Sequence, residues 1–79
     1  MSLSTSSEVR RLLATVLERP VDDAEFLSRA SEPRWDSLKH VEIIFLIEDH
    51  FGILFAPHDL EALNDIEGIV RAVDARHAE

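Results

Sequence analysis

The chain contains no cysteine. Disulfide staples and thiolate metal sites are therefore excluded. A single domain of 79 residues must hold together by packing alone, and a core of this size supplies about 3–5 kcal/mol. No long apolar run is present. The longest, Ile43-Ile44-Phe45-Leu46-Ile47, is far too short to span a bilayer, so membrane insertion is not expected. Met1-Ser2-Leu3-Ser4-Thr5 has neither the basic nor the apolar region of a signal peptide, and a cytoplasmic location is the expectation. Positive charge is scarce: 8 Lys and Arg stand against 16 Asp and Glu, a net charge of −8. Such a surface repels phosphate backbones and disfavours nucleic-acid binding. It favours encounter with basic surfaces on other proteins. No internal repeat or low-complexity tract is visible.

What is present is helical periodicity. After the cap-prone run Ser4-Thr5-Ser6-Ser7, the residues Val9, Leu12, Leu13, Val16 and Leu17 follow the spacing of one buried stripe. Pro20 stops this helix. Residues 20–35 form a long connection, in which Asp22–Leu27 suggests one helical turn and Phe26 and Leu27 are expected to plug the core. Ser31–Trp35 reads as loop, with Trp35 a lid on the core. A second helix is expected from Ser37 to Phe51, capped by Asp36 or Ser37 and ended by Gly52 in a left-handed conformation. Ile53 and Phe55 follow as core plugs at a turn. A short third helix spans His58–Leu63, with Leu60 and Leu63 inward. The last helix is expected to begin near Asn64 or Asp65, where Asn64 with Glu67 fits a capping-box-like start, and its stripe is Ile66, Ile69, Val70 and Val73. No segment reads as a paired strand. The expected organisation is a flexible N-terminus over 1–7, a folded domain over 8–75 and a tail over 76–79.

The second helix carries more apolar surface than a small bundle needs. At 100° per residue Ile43, Leu46, Ile47 and Phe51 gather on one side, with Ile44 at the edge. Leu38, Val41 and Phe45 form another stripe, flanked by Glu42, Glu48 and Asp49. Interleaved carboxylates argue against complete burial, so this stripe either faces a partner or lies under the long connection.

Asp36-Ser37-Leu38 sets a hydroxyl beside a carboxylate at the start of that helix. A helix start offers unpaired N–H groups and the positive end of the dipole, which favour a phosphodiester. Ordinary capping by Asp or Ser is the competing reading. His40 lies one turn along, but no second carboxylate orients it and no nucleophile elbow is present, so a catalytic triad is not expected.

The wider pattern resembles the acyl carrier proteins and the related peptidyl carrier domains. Their pattern is Asp-Ser-Leu, an apolar helix, then Glu-x-x-Phe-Gly-Ile. This chain reads Asp36-Ser37-Leu38, then Val41-Glu42-Ile43-Ile44, then Glu48-Asp49-His50-Phe51-Gly52-Ile53. The resemblance covers residues 8–74 and implies an all-α, four-helix bundle with one short helix. It also implies a carrier rather than an enzyme. Ser37, beside Asp36, would bear a covalent 4'-phosphopantetheine derived from coenzyme A. The implied partners are a phosphopantetheinyl transferase, which brings magnesium, and the acyl- or aminoacyl-loading and acyl-processing enzymes of fatty-acid, polyketide or related biosynthesis. Leu38, Val41, Glu42, Phe45 and Glu48 are the implied partner contacts, on a monomer. Arg34 stands where the family often has glycine, Trp35 is bulkier than usual, and Lys39 and His40 are basic where fatty-acid carriers tend to be acidic. These departures point to a polyketide-like or amino-acid-loading pathway at least as much as to housekeeping lipid synthesis.

The rival from another class is a carrier-like interaction module that is never modified and binds a partner through the apolar face of the second helix. A DNA-binding helical domain is opposed by the acidity. His40, His50, His58 and His77 share no metal-ligand spacing, and the Asp59, Glu61, Asp65, Glu67 cluster lacks the pattern of a calcium loop. No metal site is expected.

Overall fold

The computed structural model describes residues 2–22 and 24–77. The first apolar stripe forms α1, Ser2–Leu17, with Val9, Leu12, Leu13 and Leu17 buried and Val16 packed at the core edge. The helix begins at Ser2, ahead of the Ser4–Ser7 run expected to cap it. Thr5 is buried and its hydroxyl donates to Asp74 at 2.8 Å. Docking on the C-terminal helix therefore outweighs the local capping preference. At the other end Glu18 adopts a left-handed φ of 57°, and the N–H of Arg19 donates to the carbonyl of Ala14 at 3.3 Å. This is a Schellman closure with glutamate in the place glycine usually takes. Pro20 follows and bars continuation.

The second helix, α2, spans Ser37–Phe51, as its periodicity and caps predict. Gly52 closes it at φ 66°, its N–H donating to the Glu48 carbonyl. The expected short helix is a 3₁₀ helix over Pro57–Ala62. Only one of its two leucines is inward: Leu63 is buried, whereas Leu60 is exposed. Leu63 lies just past the 3₁₀ segment, where the chain bends toward the last helix, so the two do not share a face. The last helix, α3, spans Ile66–His77. Its cap is Asp65, whose Oδ1 accepts the Gly68 N–H at 2.7 Å. The expected Asn64–Glu67 box is replaced by this arrangement, and Asn64 Nδ2 donates to the Glu61 carbonyl at 2.8 Å. An acceptor one residue later sits three positions before the amide it serves, as an N-cap must. Ile66, Ile69 and Val73 are buried.

α1 packs against both α2 and α3. Its stripe meets Ile43 and Ile47 from α2, Ile66, Ile69 and Val73 from α3, and Leu27, Trp35 and Leu63 from the connections in one core. Val21, Ile53 and Phe55 pack against its edge. The radius of gyration, 11.4 Å, matches the value of about 11.6 Å for one domain of this length. Among the described residues the architecture is an all-α bundle of three α-helices and one 3₁₀ helix. Among the described residues the nearest approach to a sheet is an isolated antiparallel bridge, Ser28 to Asp65.

The long connection after α1 is ordered by arginines. Arg19 pairs with Glu25 at 2.9 Å and Glu32 at 3.4 Å. Arg10 donates to the carbonyls of Asp22 and Glu25. Arg34 donates to the carbonyls of Glu18, at 2.9 Å, and Leu17, at 3.4 Å. That last pair also sets a cation at the negative end of the α1 dipole. The expected helical turn over Asp22–Leu27 is a simple turn, with the Glu25 N–H donating to Asp22. Leu27 is buried, but Phe26 is 62% exposed. Adjacent residues of an extended chain point to opposite sides, so only one of the pair reaches the core.

Candidate functional site

Asp36 and Ser37 divide the start of α2 between them. Asp36 is extended, with φ −90° and ψ −174°. Its Oδ1 accepts the Lys39 N–H at 2.9 Å and its carbonyl accepts the His40 N–H at 2.8 Å. Asp36 is therefore the cap, and the Ser37 hydroxyl is released from that role. Ser37 is exposed. The N–H groups of Ser37 and Leu38 have no carbonyl one turn back to bond. The partner of Ser37 Oγ is Arg29, whose Nη2 donates to it at 3.4 Å, a long contact for a hydrogen bond. Helix dipole and guanidinium together make an electropositive spot on an acidic protein.

Trp35 anchors this spot. Its ring is 2% exposed, as expected of a lid on the core. Nε1 donates to His40 Nδ1 at 3.0 Å, and the two rings lie 6.1 Å apart. The residue before the Asp36–Ser37 pair is thus pinned to the bundle, which fixes where the hydroxyl stands. Because His40 Nδ1 accepts, the imidazole is neutral in this arrangement. Burial and, secondly, the Arg29 cation push its pKa below the ordinary 6.5. His40 is an acceptor for the tryptophan and not a base for the serine.

This has a pH signature. The unfolded chain takes up a proton on His40 near its ordinary value, and the folded chain resists it. The stability tied to this group is complete above pH about 6.5 and is lost as pH falls below that value. His40→Gln retains an acceptor but cannot titrate. Its melting temperature should therefore drop less than that of the wild type between pH about 7.5 and about 5.5. Equal acid losses in thermal melts of the two proteins would contradict the assignment.

The second stripe of α2 is uncovered. Ile43 and Ile47 are buried, while Ile44, Leu46 and Phe51 pack at the core edge. Leu38, Val41 and Phe45 are exposed, Phe45 by 64%. Beyond Gly52 the exposed Leu54 continues the apolar surface, and with Phe45, Glu48, Asp49 and Ile53 it lines a shallow groove. The sequence reading passed over Leu54. The alternation of Ile53 and Phe55, both facing the core, was the signal that the residue between them faces out. Glu42 pairs with Lys39 at 3.7 Å. Glu48 is partly committed elsewhere, since its Oε2 accepts the Phe55 N–H at 2.9 Å. His50 bonds Glu8 at 2.8 Å and ties α2 to α1.

Periodicity gave no hint of Arg29, because its position depends on how the long connection returns over the bundle. Among the described residues no group of three His, Cys, Asp or Glu is arranged to hold a metal ion. No helix of the described residues is long and apolar enough to cross a membrane. A family model described as phosphopantetheine attachment site matches residues 7–73. No curated protein matches the chain.

Proposed function

Because the chain belongs to the phosphopantetheine attachment-site family, whose members are carriers with a covalently bound 4'-phosphopantetheine, we propose that Ser37 is the residue that holds the arm. The observation that carries this reading is the division of labour at the α2 start: Asp36 caps the helix, and the neighbouring hydroxyl is exposed. The residues fit a phosphodiester. Two unsatisfied N–H groups and the positive end of the dipole flank the hydroxyl, and Arg29 adds a full charge. The arm supplies a thiol, on which cargo is held as a thioester. The chain's own residues position the hydroxyl and present a docking face, and the protein acts as a cytoplasmic, monomeric carrier rather than a catalyst.

The docking face is the uncovered stripe Leu38, Val41 and Phe45, with Glu42, Glu48 and Asp49 as an acidic rim. The partners are a phosphopantetheinyl transferase using coenzyme A and magnesium, and enzymes that load and process acyl or aminoacyl groups. The basic Lys39 at the top of α2, where fatty-acid carriers tend to be acidic, favours a polyketide-like or amino-acid-loading pathway. His40, although basic by residue type, is neutral in the fold and adds no charge there. Rim charges accelerate encounter with a basic partner, whereas apolar anchors hold the complex. Association with the transferase should slow as salt rises from low to physiological strength, where the screening length is about 8 Å. Val41→Asp should weaken the complex at every ionic strength and leave the helical circular dichroism unchanged. Stopped-flow association rates for both proteins check this. A flat salt dependence together with a harmless Val41→Asp would remove α2 as the docking surface.

A further inference from the structure

We propose that Arg29 is the electrostatic anchor of the phosphodiester on Ser37, holding the root of the arm against the α2 start. This inference rests on the assignment of Ser37 as the attachment residue.

The backbone of Arg29 is braced. Its N–H donates to the Asn64 carbonyl at 2.9 Å, and the Ile66 N–H donates to Leu27 at 3.1 Å on the other side of the Ser28–Asp65 bridge. The side chain therefore leaves a fixed point and reaches the Ser37 hydroxyl, at 3.4 Å. The arginines that order the long connection are committed. Arg10, Arg19 and Arg34 each hold carbonyls or carboxylates of the connection. Arg29 pairs with no carboxylate among the described residues, although acids outnumber bases by 16 to 8 in the chain. It lies beside the positive end of the α2 dipole, and its charge depresses the ionisation of the neighbouring His40. A phosphodiester on Ser37 supplies the anionic partner that this guanidinium lacks. Its phosphorus is bonded to Oγ and its anionic oxygens lie two bonds beyond Oγ, close to the guanidinium fork that already contacts Oγ and that matches phosphate geometry. The same guanidinium offsets repulsion between that anion and the adjacent Asp36 carboxylate.

The test is a cycle of four proteins: wild type and Arg29→Gln, each unmodified and modified. Coenzyme A and a promiscuous transferase supply the arm, and intact mass confirms complete loading before any melt. Unmodified Arg29→Gln should be at least as stable as unmodified wild type. Modified Arg29→Gln should melt about 4 °C below modified wild type at low salt, and the gap should narrow as salt is added. Arg29→Lys should recover part of the gap. The phosphorus-31 resonance of the modified protein should move on Arg29→Gln. A purely structural arginine predicts equal losses in unmodified and modified proteins. That result, or an unmoved phosphorus resonance, overturns the proposal while leaving Ser37 as the attachment residue. A wild type that gains no mass at Ser37 overturns that assignment, and this inference with it.

Discussion

Trp35→Ala should remove most of the stability of the domain, at a cost of about 3–5 kcal/mol. Total stability for a core of this size is itself about 3–5 kcal/mol, so the variant should be largely unfolded at room temperature. The indole is among the largest fully buried side chains. Its removal leaves a void among the core residues and strips His40 Nδ1 of its donor. The loss is also local to function, because Trp35 pins the Asp36–Ser37 pair. Phe45→Ala is the counterpart. An aromatic ring of similar apolar character is removed, but from a face that is 64% exposed. Its cost should stay within about 0.5 kcal/mol. Urea titrations followed by circular dichroism compare the two. Similar midpoint losses would mean that the Phe45 stripe is buried and unavailable to partners.

Gly68→Ala should be destabilising where helix propensity alone predicts a gain of about 1 kcal/mol. Gly68 lies in α3, and an added methyl would stand 1.8 Å from the Ala62 carbonyl oxygen and 3.0 Å from Asp65 Oδ1. The first of these is main chain and cannot rotate away. Either α3 withdraws from the 3₁₀ segment or the Asp65 cap opens. Overpacking of this kind costs about 1–3 kcal/mol, occasionally more. Gly52→Ala separates this from backbone strain: space around Gly52 is open, but its φ of 66° imposes about 1–2 kcal/mol on a residue with a Cβ. The account predicts that both variants lose stability. A stabilised Gly68→Ala in thermal melts would show that the close approach of α3 to the 3₁₀ segment does not exist in solution.

These two residues mark the limit of what the chain discloses as text. α2 was legible from end to end, because Asp36 and Gly52 punctuate an uninterrupted period of 3.6. The exposed stripe was legible too, since Glu42, Glu48 and Asp49 interleave with it. Gly68 was not, because a glycine inside a helix shows its purpose only when the opposing carbonyl is in place. Phe26 and Leu60 were misassigned for a related reason. Each lies in a short or irregular segment, where one residue of shift reverses the side chain and no period corrects it. Of the two starts the sequence offers for α3, Asn64 and Asp65, the cap is Asp65, a choice of one residue within the ordinary uncertainty of helix ends. At the candidate site Asp36 and Ser37 were readable as local chemistry. Arg29 and the Trp35–His40 bond were not, because each joins α2 to a connection whose path is set by tertiary contacts.

The central claim is that this phosphopantetheine carrier bears its arm on Ser37. The direct test is intact mass after incubation with coenzyme A, magnesium and several phosphopantetheinyl transferases, followed by peptide mapping. The wild type should gain the mass of one arm, located on the peptide containing Ser37, and Ser37→Ala should gain none while keeping its helical spectrum. An unchanged wild-type mass with transferases proven active on another carrier, or an arm mapped to any other serine, would contradict the account.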